Sequence, residues 1–159
     1  MSKIVGKELP WEKQKEMLVE ATALKLPLLL NALKETYGEE KGRQMYNEIF
    51  ETNFKKRAGQ FKGKGVINIM MTEVDLFPTF GWDIWVEKTE EDGKEVCYEH
   101  LGKCPHLEAT RKYGLPEPCD IICGMDCEMG KKYKVGIWEQ KSSLQAGDSE
   151  CCFKITEYR

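Results

Sequence analysis

Apolar residues recur every three or four positions through the first third of the chain, then alternate or cluster. Over residues 11–37, Met17, Leu18, Ala21, Leu24, Leu28 and Leu29 follow helical spacing. Pro27 removes a backbone donor, so a kink or a second helix start is expected there. Gly38 suits a left-handed stop after Tyr37. The next helix is expected from Glu39 to Gln60, with Met45, Ile49, Phe50, Phe54 and Phe61 as its apolar stripe. "GQFKGKG" closes this helical part.

From Val66 the pattern changes. "VINIMMTEVDLFPTFG" and "WDIWVEKTE" are rich in β-branched and aromatic residues and read as extended. Trp82, Ile84 and Val86 alternate with Asp83, Trp85 and Glu87. Asp92-Gly93 is a tight-turn signal, and "VCYEHLGKC" returns as the partner strand. "PHLEATRKYG" predicts a short helix capped by Gly114. A further helix is expected from Pro116–Pro118 to Gly130. "YKVGIWEQKSSL" and "CCFKITEYR" read as strands joined by "QAGDSE". The sum is an α+β fold, with N-terminal helices packed on an antiparallel sheet. It is expected to be one domain over residues 1–159, helical over 1–62 and sheet-bearing over 63–159.

Composition narrows the function. A chain of 159 residues can bury about two-thirds of its unfolded surface. With 41% hydrophobic and 32% charged residues, it is globular in composition. A net charge of -3 leaves no electrostatic footprint for nucleic acid. No apolar run is long enough to cross a membrane, and "MSKIVGKELPWEKQKE" lacks a signal-peptide core. A cytoplasmic location is expected. The aromatic residues of both halves, Phe54, Phe61 and Trp82 among them, can line an apolar ligand pocket. "FKKRAGQFKGKG" carries five basic residues and reads as a solvated helix end.

All seven cysteines follow residue 96. In a reducing compartment such thiols are more often buried, metal-bound or reactive than bridged. In "CDIICGMDCEMG", Cys119, Cys123 and Cys127 recur every four residues, along one face if the segment is helical. Adjacent thiolates on that face can share a metal ion, or the cysteines can simply pack against the sheet. All three together span about 12 Å, too far for one zinc ion. Partners would come from Cys104, from Cys151 or Cys152, or from His106 and His100, the two histidines that flank Cys104 in sequence. Zinc ranks above an iron–sulfur cluster, because the short Cys-x-x-Cys runs of such clusters are missing. Cys104 opens a helix at Pro105, where the helix dipole favours a thiolate. That makes it a candidate nucleophile as well as a ligand. Asp126 is the candidate proton carrier. Cys151 and Cys152 must point to opposite faces of a strand, with Cys152 on the less functional side.

Three segments in order, "GKCPHLEAT", "DIICGMDCE" and "AGDSECCFKI", carry a resemblance. Gly147, Asp148, Cys151 and Phe153 form the Gly-Asp-x-x-Cys-x-Phe pattern that closes the 4-vinyl reductase domain family. That family is related in fold to trafficking-complex subunits. With Cys104-Pro105 and the Cys-x-x-Asp of Cys123 and Asp126, the chain more closely resembles the L-2-amino-thiazoline-4-carboxylic acid hydrolase family. The resemblance implies hydrolysis of a cyclic amidine C–N bond, or otherwise a small-ligand-binding module held by a metal. It also implies a small-molecule partner and a helix-mediated homodimer through residues 11–61. Ser143 stands where the 4-vinyl reductase pattern has a cysteine, and Glu139 does not match the offset of its acidic ligand.

Overall fold

The computed structural model describes residues 9–61 and 63–158. Residues 1–8, read above for a targeting segment, Lys62 of the basic stretch, and Arg159 lie outside the described residues.

Helix α1 runs unbroken over Trp11–Tyr37 and α2 over Glu39–Phe61. Pro27 sits inside α1 without ending it, and Gly38 turns the chain at φ 86°. The two helices approach closely at Gly42. A methyl group there would stand 2.5 Å from the Lys34 backbone, so only glycine fits. The stripe of α2 differs from the expected one. Tyr46, Phe50 and Phe54 are buried, whereas Ile49 is exposed. On α1 it is Ala23, Leu24, Pro27 and Leu30 that are buried, while Met17, Leu18 and Leu28 face solvent.

The segment expected to be extended from Val66 is helical. Helix α3 covers Val66–Glu73, and a 3-10 turn continues over Val74–Phe80. Val66, Ile67, Ile69 and Met70 bury one helical face, a 3.6-residue spacing that outweighs their β-branched content. The Glu157 carboxylate accepts the Val66 and Ile67 backbone N–H groups, each at 3.0 Å, and so caps α3 from beyond the last strand.

Strands β1 (Asp83–Glu91) and β2 (Lys94–Lys103) form the expected hairpin. Its turn places Asp92 and Gly93 at φ 51° and 70°. Helix α4 (Pro105–Tyr113) ends on a left-handed Gly114. Helix α5 begins at Cys123, not near Pro116, and runs to Lys132. Cys119 therefore lies in the preceding turn, where its carbonyl accepts from Gly124 N–H at 2.7 Å. The helical face shared by three cysteines is thus reduced to two. Strands β3 (Ile137–Ser142) and β4 (Cys151–Thr156) complete a four-stranded antiparallel sheet of order β1-β2-β4-β3.

One sheet face, carrying Cys97, Leu101, Cys151, Phe153 and Ile155, packs under α3 with α5 alongside. A second core joins α1 and α2 to α5, where the Tyr46 hydroxyl donates to the Ile121 carbonyl at 2.7 Å. The other sheet face carries Trp85, Tyr98, His100, Cys152 and Lys154 and is not covered by a helix. No helix among the described residues is long and apolar enough to cross a membrane.

Candidate functional site

The sheet pairing decides which acidic and sulfur-bearing side chains meet. Glu99 pairs with Phe153, and Leu101 with Cys151, so Glu99 points to the helix-covered face. Helix α5 crosses that face and presents Cys123, Asp126 and Cys127. Between them lies a cavity of about 260 Å³, with Phe54, Phe61 and Trp82 among its apolar walls. Glu73, Glu99, Asp126, Cys123, Cys127 and Arg57 are the ionisable residues that line it.

Burial in this cavity pushes Glu99 up to about 7, with the Asp126 charge adding to the rise. Asp126 is likewise pushed up by burial, to about 6, and the Arg57 guanidinium opposes the rise. Arg57 reaches Asp126 at 3.4 Å from the cavity rim, and Asp126 keeps 47% of its side chain accessible because it faces the cavity. Two carboxyl groups in one apolar chamber thus titrate at different, near-neutral values.

A second cavity, of about 340 Å³, adjoins the first across Cys123, Cys127 and Phe153. It is lined by Cys119, Ser143 and Gln145. Cys123 and Cys127 line both chambers, and Cys119 lines the second. Burial first, then the nearby Cys104, Cys119, Asp126 and Cys127, raise Cys123 well above a free thiol. Cys104 and Cys127 are both pushed up to about 11, chiefly by burial. The Cys104 sulfur caps α4 by accepting the Leu107 N–H at 3.4 Å, as the helix start suggested, but desolvation outweighs that backbone contribution. The Cys151 sulfur accepts the Leu144 N–H at 3.2 Å. All seven cysteines are free thiols.

The structure therefore gathers Cys104, Cys119, Cys123 and Cys151 as neighbours, with Cys127 one helical turn along. His106 is turned away from them. Its Nδ1–H donates to the Ala23 carbonyl at 2.7 Å, and its ring packs edge-on against Trp82. Among the described residues, one group of three metal-type side chains has donor atoms within 4.8 Å of one another: His100, Glu150 and Cys152, on the uncovered sheet face. That group could hold a metal ion.

Sequence reasoning missed Glu99, Arg57 and Glu150, and it chose His106 over His100 of the two histidines. Glu99 was legible as an acidic residue in phase with Cys97 and Leu101 on β2. Arg57 sat within the basic stretch read as a solvated helix end.

Residues 16–155 match the family model described as L-2-amino-thiazoline-4-carboxylic acid hydrolase. The chain belongs to this family. No curated protein and no solved structure matches it. The match takes in all three cysteine-bearing segments, Glu99 and Arg57.

Proposed function

We propose that this family member hydrolyses a small cyclic amidine of the thiazoline-carboxylate class within the Glu99–Asp126 cavity. The observation that carries the reading is the pair of carboxyl groups in one chamber, Glu99 from the sheet raised to about 7 and Asp126 from α5 raised to about 6. Near neutral pH, Asp126 is the ionised base and Glu99 the protonated acid.

In this reading Asp126 takes a proton from water as its oxygen attacks the amidine carbon, while Glu99 protonates the ring nitrogen. As the tetrahedral carbon collapses, its hydroxyl proton returns to Glu99. Asp126 gives its proton to the ring nitrogen as the C–N bond breaks. Arg57 at the rim suits the substrate carboxylate. When Arg57 turns to the substrate, Asp126 loses the cation that lowers it and becomes a stronger base.

Cys104 lies outside the walls of both cavities. We assign it a capping and packing role and give the base role to Asp126. Cys123 and Cys127 face the chamber as neutral thiols and shape it. Zinc, expected at these thiols, is proposed instead for the His100 group on the other sheet face.

The test is turnover of 2-amino-thiazoline-4-carboxylate by the purified chain, followed by release of amine and of thiol. Amine release supports C–N cleavage, and thiol release shows that the carbon–sulfur bond breaks instead. Saturable binding without turnover would replace hydrolysis with a small-ligand-binding role.

A further inference from the structure

On the uncovered sheet face, His100 of β2 stands directly across from Cys152 of β4. Opposed residues of antiparallel strands hold their Cβ atoms about 4.5–5.5 Å apart. Glu150 lies in the bend just before β4, and its carboxylate reaches the His100 ring. Three different donors, a ring nitrogen, a carboxylate oxygen and a sulfur, fall within 4.8 Å of one another.

The imidazole is held rather than free. It stacks on Trp85 with ring centroids 5.1 Å apart and planes 3° from parallel. Its Nδ1 lies 2.9 Å from a Glu150 oxygen. A carboxylate accepts, so Nδ1 carries the proton, and in the neutral ring Nε2 then holds the lone pair. That Nε2 is buried and finds no hydrogen-bond partner. An unpartnered buried polar atom costs about 1–3 kcal/mol, and a cation is a partner that a bare imidazole nitrogen takes readily.

We propose that His100, Glu150 and Cys152 form a binding site for one zinc-class divalent ion, separate from the hydrolytic cavity. Nitrogen and sulfur donors together favour zinc over magnesium or calcium. His100 ligates through Nε2, and Cys152 ligates as thiolate, releasing its proton to solvent. Glu150 keeps the Nδ1 proton, the arrangement that orients a metal-bound histidine. The two negative charges of Glu150 and ionised Cys152 balance a divalent ion, so the half-buried site becomes neutral when filled. Tetrahedral zinc holds its donors about 3.3–3.8 Å apart. Glu150, held on the Nδ1 proton, stays outside the coordination sphere, and the chain supplies two ligand atoms, His100 Nε2 and the Cys152 sulfur. Water or a small ligand would complete the coordination.

Cobalt(II) titration of the chelator-treated full chain tests this. One equivalent should give a near-ultraviolet thiolate-to-cobalt band, displaced by zinc. Cys152→Ser should abolish the band, and His100→Gln should weaken binding about tenfold or more. The Cys104→Ser/Cys123→Ser double variant should keep it. No band in the native chain, or an unchanged band in Cys152→Ser, overturns the proposal. If Cys152→Ser does not fold, cobalt quenching of Trp85 fluorescence decides instead. Quenching in the native chain should shrink in Trp85→Phe, and identical quenching in both overturns the site.

Discussion

The Ala23 carbonyl accepts the Nδ1–H of His106 at 2.7 Å because Pro27, four residues on, has no N–H to offer it. The proline neither kinks α1 into two helices nor leaves a buried orphan. Instead it creates an acceptor that α4 fills, and α1 and α4 are joined there.

This pairing predicts a coupled response. His106→Ala should destabilise the chain by about 1–3 kcal/mol, the cost of an unsatisfied buried carbonyl. In a Pro27→Ala background the helix supplies its own donor, and the same substitution should cost less. A double-mutant cycle in urea measures the coupling, and equal losses in both backgrounds would refute the account.

Glu99 and Asp126 predict the direction of the pH response of stability. Both carboxyls are raised on folding, to about 7 and about 6. The folded chain therefore holds protons that the unfolded chain has already released. Their contribution is fully present below the ordinary carboxylate range and is lost as pH rises through about 6 to 7. Melting temperature should fall over that interval, and Glu99→Gln should flatten the fall.

The same values shape activity. Hydrolysis needs Asp126 ionised and Glu99 protonated, so kcat/KM should peak between about 6 and 7. Asp126→Asn should lower kcat by about 100- to 10,000-fold, the range of a positioned proton-transfer group. Cys104→Ser should retain most of the activity. A Cys104→Ser variant as inactive as Asp126→Asn would return the nucleophile role to the thiol.

Gly42→Ala predicts a packing failure. The added methyl would meet the Lys34 backbone at 2.5 Å, and a helix backbone cannot yield as a flexible side chain can. A loss of about 1–3 kcal/mol is expected in denaturant unfolding, whereas Gly59→Ala, with open space around it, should be neutral or stabilising.

The local pattern determined much of this protein. Periodicity marked α1 and α2, Asp92-Gly93 marked the hairpin, and Cys104-Pro105 with Gly114 marked both ends of α4. Strand alternation put Cys151 and Cys152 on opposite sheet faces. Each of these features depends on neighbours within a few residues, and the chain states those directly. Tertiary structure decided the rest. Val66–Glu73 became a helix because its buried face fits the sheet and Glu157 caps its start. Cys104 remained a neutral thiol because desolvation, set by everything packed around it, exceeds the pull of a helix end. Glu99 acquired its raised value, and His100 met Glu150 and Cys152, only through pairing between strands about fifty residues apart. Burial and cross-strand contact are properties of the assembled fold, and no spacing along the chain encodes them.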